Sequence, residues 1–218
     1  MVQCSVRHIA VIGDLVDSRA LPDRNAFQKR LSGFFTVLSQ ERADLESPYT
    51  ITLGDEFQAL YAQSQRLFAD LLSILAHLAP NRVRIAIGVG EITTTINRRH
   101  AIGMDGSVFH AARDAMDTLK PEDESTIRLS ISSPRNHPAL ELANRGLSVV
   151  GSLTRTWKKH TWVIARDAMD QRSVDETADA LSITQRAVYK NMRTNGVRSV
   201  VAFFEHAAAL INDEVRDE

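Results

Sequence analysis

The stretch His8-Ile9-Ala10-Val11-Ile12-Gly13-Asp14 decides the fold. A short apolar run that ends at a Gly-Asp pair reads as a buried strand closing on a carboxylate. Outward from it, Pro22 marks a helix start, and Phe27, Leu31, Phe34, Phe35 and Leu38 repeat at helical spacing. Tyr49 to Leu53 is β-rich, Gly54-Asp55 is a turn dipeptide, and Phe57 to Tyr61 returns as a strand. Ser64 is placed to cap a helix through Leu67, Leu71, Leu72, Ile74, Leu75 and Leu78, which Pro80 stops. Val83 to Val89 is another buried strand. The order is β-α-β-β-α-β, the ferredoxin-like arrangement with both helices on one face of an antiparallel sheet. The expected class is therefore α+β, a palm followed by a small all-α unit.

After the palm core, Thr93 to Arg99 reads as a hairpin or loop, Gly106 to Leu119 as a helix and Ile127 to Ser133 as a strand. Pro134 to Gly146 reads as a short helix or loop. The boundary is expected near Val150-Gly151, giving residues 1–150 and 151–218 as two domains.

Composition is that of an ordinary globular protein, 44% hydrophobic and 24% charged. The formal net charge of -1 excludes a protein that binds nucleic acid through bulk charge. No apolar run approaches the roughly 20 residues a membrane span needs. A single cysteine, Cys4, forms no internal disulfide, and no leader is visible, so the expectation is a cytoplasmic protein. Charge is uneven along the chain. Arg155, Lys158, Lys159, Arg166, Arg172, Arg186, Lys190, Arg193 and Arg198 outnumber the acids between them, and the tail after Ile211 turns acidic.

Two carboxylates stand out. In this topology the first and third strands are central neighbours, so Asp14 at a strand end and Asp55 in the hairpin meet. Side-by-side carboxylates repel unless a cation joins them. Mg²⁺ (or Mn²⁺) prefers a few carboxylates plus phosphate oxygens and water, so the pair suits a metal–triphosphate. Read plainly, Asp14 is a helix cap, Asp55 a turn residue and Glu56 a solvated or supporting group. Gly88 and Gly90 read as strand glycines that allow close approach.

Val11-Ile12-Gly13-Asp14-Leu15-Val16-Asp17-Ser18-Arg19 resembles the first strand and phosphate loop of class III nucleotidyl cyclases. Leu53-Gly54-Asp55-Glu56-Phe57 resembles their Gly-Asp hairpin and the Gly-Gly-Asp-Glu-Phe signature of diguanylate cyclases. Arg84 to Ile92 and Gly103 to Arg113 are similar to later cyclase segments, in the same order. The full layout resembles the SatD family. The resemblance implies metal ligation by Asp14 and Asp55 with the Leu15 carbonyl. It implies phosphate binding by Val16, Asp17, Ser18 and Arg19, and transition-state stabilisation by Arg113. The cyclase asparagine four residues before that arginine is Phe109 here.

In the C-terminal part, Glu176 to Leu181 and Gln185 to Arg193 read as helices joined by the turn Ser182-Ile183-Thr184. Ala178 and Leu181 face Val188 and Met192. This is helix-turn-helix spacing. Gln185, Arg186, Tyr189, Lys190 and Arg193 are the candidate DNA contacts, with Gln and Arg suited to base edges and Lys and Arg to phosphates. A plain helical bundle for dimerisation is the competing reading, and both Trp157 and Trp162 read as core or interface. The expected function is a homodimeric regulator that binds a nucleoside triphosphate or related nucleotide and DNA. An active nucleotidyl cyclase or nucleotidyltransferase, and a structural palm used for assembly, are the alternatives.

Overall fold

The computed structural model describes residues 6–20, 22–40, 43–52, 54–119, 126–132 and 137–216. Cys4, Leu53, Ser133 and the last two acids of the tail lie outside the described residues. The palm follows the expected order: β1 (Arg7–Leu15), α1 (Arg24–Leu38), β2 (Leu45–Ile51), β3 (Glu56–Tyr61), α2 (Leu67–Leu78) and β4 (Val83–Glu91). Helix α3 (Ser107–Leu119) then carries the chain to β5 (Ile127–Ile131). The sheet order is β2-β3-β1-β4-β5, antiparallel except for the parallel pair β4–β5. The crossover through α3 explains that exception, because parallel neighbours need a long connection.

Side chains alternate along β1. Ile9, Val11 and Leu15 join the core formed with α1 and α2, whereas Ala10 and Ile12 join a second cluster with Val108, Ala112 and Met116 of α3. The sheet is thus covered on both faces. Gly88 sets how closely α3 lies, since a Cβ there would sit 2.3 Å from the Val108 carbonyl oxygen. The segment after β4 forms an irregular loop, in which Gln58 Nε2 donates to the Ala101 carbonyl.

Among the described residues five further helices follow: α4 (Pro138–Thr154), α5 (Lys159–Met169), α6 (Val174–Leu181), α7 (Gln185–Thr194) and α8 (Val197–Arg216). Residues 150 and 151 lie within α4, and α8 packs against the palm. Phe204 of α8 stacks on Phe68 of α2 at 4.8 Å, and both are about 1% exposed. Apolar α8 positions at helical spacing needed a partner, and the palm supplies it. Ser64 does not cap α2, whose N-cap is Arg66 without a side-chain bond. Its hydroxyl instead donates to the Ala208 carbonyl at 2.6 Å, and its N–H donates to Asn212 Oδ1 at 2.9 Å. Arg7 likewise reaches the Glu214 carbonyl at 2.9 Å.

Two predictions follow from this packing. Phe204→Ala should destabilise the whole protein by about 3–5 kcal/mol. Denaturant unfolding followed by tryptophan emission and by far-UV circular dichroism should then give one coincident transition. Two separated transitions would show that the halves do not share a core. The second concerns His8, which is 8% exposed in β1 and donates from Nδ1 to the Val6 carbonyl. Burial holds its pKa below the ordinary 6.5. The unfolded chain therefore takes up the proton first as pH falls, so stability is full above about pH 6.5 and declines below it. Denaturation midpoints at about pH 7.5 and about pH 5.5 should differ less in His8→Gln than in the parent.

Candidate functional site

Polar side chains gather where β1 ends. Asp14 lies opposite Glu56 of β3 and opposite Arg84 of β4. Directly opposed residues of antiparallel strands share a face, and here it is the face covered by α3. Arg84 stands 3.6 Å from Asp14. Helix α3 delivers Arg113, whose terminal nitrogens donate to the two Glu56 oxygens at 2.7 and 3.2 Å. That bidentate bond raises the Arg113 pKa further, against an opposing effect of burial. Thr52 Oγ1 adds a 3.2 Å bond to Glu56. The result is a set of two carboxylates and two guanidiniums, half-buried except for the exposed Arg113.

Asp55 adjoins this set. It occupies the β2–β3 turn, next in sequence to Glu56, after Gly54 at φ +63°. The left-handed conformation accounts for glycine there. The turn is closed by the Thr52 N–H donating to the Glu56 carbonyl at 2.9 Å, and Gln28 Nε2 donates to the Gly54 carbonyl. Asp55 is half-buried and makes no hydrogen bond or ion pair with a described residue. Leu15 closes β1, and the Val16 N–H donates to the Arg82 carbonyl at 2.9 Å. Asp17 turns the chain with φ +55°, and Ser18 opens a short 3-10 turn, Ser18–Ala20. Ser18 is buried, whereas Asp17 and Arg19 are exposed. Phe109 is partly buried against the cluster under α3, so an apolar contact occupies that position.

Asp14, Asp55 and the Leu15 carbonyl are the oxygen donors that could hold a divalent cation. Among the described residues, no group of three His, Cys, Asp or Glu side chains could hold a metal. Reading the residues singly missed the roles of Glu56 and Arg84. The available signal was Arg84 itself, a charge inside an otherwise apolar strand.

The second polar collection lies on α7. Helix α6 begins with a capping box, in which Ser173 accepts from the Glu176 N–H and Glu176 reaches back to Ser173. Ser182 ends it at φ +53°. Thr184 caps α7 by accepting from the Ala187 N–H. Ala178 and Val188 are buried between the helices, and Leu181 and Met192 pack beside them. Gln185, Arg186, Tyr189, Lys190 and Arg193 are all exposed on the opposite side. A groove of about 740 Å³ runs along it, with Arg198 and Ser199 of α8 forming part of the wall. Arg186, Lys190, Arg193 and Arg198 make no ion pair with a described residue. Other basic residues of this segment are engaged: Arg166 and Arg172 approach the buried Asp167 at 2.6 and 3.7 Å.

The SatD family profile matches residues 8–211. The chain belongs to the SatD family. No curated protein matches the sequence. Among solved structures, similarity extends to the catalytic core of a rhodopsin-guanylyl cyclase with converted specificity, solved in complex with ATPαS. Identity is 14%, coverage is 52% of this chain and 73% of that chain, and the TM-score is 0.38. A bacterial light-regulated adenylyl cyclase aligns at 13% identity, over 57% of this chain and 43% of its own length, with TM-score 0.34. A regulator of polyketide synthase expression from Bifidobacterium adolescentis aligns at 14% identity over 99% and 88%, with TM-score 0.24. No described helix of this SatD family member is long and apolar enough to cross a membrane.

Proposed function

We propose that this protein is a cytoplasmic, homodimeric DNA-binding regulator whose palm takes a nucleoside triphosphate or related nucleotide. The observation that carries the reading is the cationic face of α7, whose Arg186, Lys190 and Arg193 make no ion pair with a described residue. Cations left without acidic partners on one exposed face are the footprint of a polyanion. Their carrier is the second helix of a capped pair joined by a three-residue turn, the form that lays a helix in the major groove. Gln185 and Arg186 at its start would reach base edges, and Lys190, Arg193 and Tyr189 would meet the backbone.

In the palm, Asp14, Asp55 and the Leu15 carbonyl would hold Mg²⁺ or Mn²⁺, which would supply charge neutralisation for the phosphates. The Val16–Arg19 turn would approach those phosphates. Arg113 would exchange its Glu56 partner for phosphate oxygen, since guanidinium binds either bidentately. Phe109 offers no amide to position a ribose or a transition state, so binding rather than cyclisation is the favoured role.

Two measurements test the reading. Lys190→Ala with Arg193→Ala should weaken binding to every DNA sequence and flatten the log–log salt dependence by about 0.9 per lost phosphate contact. Gln185→Ala should change which sequences bind, by about 1–3 kcal/mol. A protein that ignores DNA at low salt ends the regulator reading. In parallel, Asp55→Asn should abolish Mg²⁺-dependent ATP or GTP binding in calorimetry while the fold is kept. Equal affinity in parent and variant removes the metal–nucleotide site.

A further inference from the structure

A helix-turn-helix unit commonly holds the duplex in two places. Its second helix lies in the major groove, and its first crosses the phosphate backbone. Helix α6, the first of this pair, carries the wrong charge for that task. It exposes Asp175, Glu176 and Asp179, and has no Lys or Arg between Val174 and Leu181. Laid across a backbone, it would bring like charge to the phosphates. A hold on the backbone beyond α7 therefore needs another element.

The groove beside α7 supplies one. Its far wall is the first turn of α8, where Arg198 and Ser199 are exposed. Gly196 makes the turn between the two helices at φ +64°, a conformation that suits glycine. Arg198 thereby borders the same concavity that Arg186, Lys190 and Arg193 line from α7. These cations surround a space of about 740 Å³, and none of the residues lining it is acidic. Arg198, like the cations of α7, makes no ion pair with a described residue. Walls charged with one sign focus the potential inside a cleft, so an anion is drawn there more strongly than to a convex helix face.

We propose that this groove seats one phosphate backbone of duplex DNA, with Arg198 of α8 as the clamp opposite Lys190 and Arg193, and the Ser199 hydroxyl as a further donor to the same strand. The assignment rests on the DNA-binding reading and adds to it a contact outside the helix pair. Backbone contact passes from α6 to α8. It also lies on the helix that packs into the core, since Phe204 of α8 stacks on Phe68 of the palm.

The full-length protein is titrated into a fluorescein-labelled duplex of mixed sequence, and anisotropy is read over a series of KCl concentrations. Arg198→Ala should weaken binding several-fold and lower the log–log salt slope by about 0.9, the loss of one phosphate contact. Arg198→Lys should keep the slope, because the charge remains. Asp179→Lys should leave the slope unchanged, because α6 stands off the backbone. Circular dichroism checks that each variant folds. Equal slopes for parent and Arg198→Ala, where Lys190→Ala lowers the slope, remove the clamp and leave the DNA reading standing. A slope raised by about 0.9 in Asp179→Lys returns the backbone contact to α6 and overturns the proposal. Displacement of the duplex by pyrophosphate at matched ionic strength reassigns the groove to a free polyphosphate. A parent protein that ignores the duplex at low salt ends both readings.

Discussion

Strand β1 has no solvent face, and the rest of the structure depends on that. Ile9 to Ile12 are at most 1% exposed, with alternate residues pointing to opposite sides of the sheet. Burying side chains of this size is worth about 1.5–3 kcal/mol each. That stabilisation exists only if both faces are covered. On one side α3 closes over Ala10 and Ile12, and Gly88 lets its backbone come close. On the other, α1 and α2 cover Ile9 and Val11, and α5 and α8 extend the same core. A C-terminal unit hung on a free linker would leave the outer surface of α2 bare. The chain meets that need by folding α8 back onto it.

The palm was legible because its signals are local. Short apolar runs broken by Gly-Asp or Pro fix strands and helix ends, and the βαββαβ order dictates which strands are neighbours. Hence Asp14 and the Asp55 hairpin could be placed at one end of the sheet before any contact was known. The docking of α8 was not legible. Helical spacing of Val200, Phe204, Ala207 and Ile211 declares an apolar face, yet says nothing of what covers it. Ser64 misled for the same reason. A hydroxyl just before an apolar helix has the look of a cap, and only a partner 144 residues away reveals its bond. Glu56 and Arg113 were equally opaque, because a bidentate pair 57 residues apart leaves no spacing to read.

The palm cluster and the α7 face hold charge in opposite ways. Asp14 and Arg84, like Glu56 and Arg113, are partnered, as their burial demands: side-chain exposure is 24% and 19% in the first pair. A half-buried carboxylate without a counter-charge is destabilised. In the proposed reading, the cation would take Asp14 with Asp55, and Arg113 would pass from Glu56 to phosphate oxygen. On α7, Arg186, Lys190 and Arg193 make no ion pair with a described residue. Exposed cations stay solvated, so this face needs no acidic partner to be stable.

Whether the palm speaks to α7 depends on the joint between them. The carboxylate cluster sits on β1, β3 and β4, whose other side carries α2. Helices α5 and α8 lie on α2, and α7 leans on α5 through Val188 and Asn191. A contiguous path is not yet coupling, which needs an element with two arrangements. The segment between α4 and α5 joins them. Lys158 starts α5 without a side-chain cap. The Trp157 N–H donates to the Thr154 carbonyl at 2.9 Å, the Thr161 N–H donates to the Lys158 carbonyl at 2.8 Å, and Trp157 and Trp162 are buried beside them. A joint tied and packed in this way moves only with the core it belongs to.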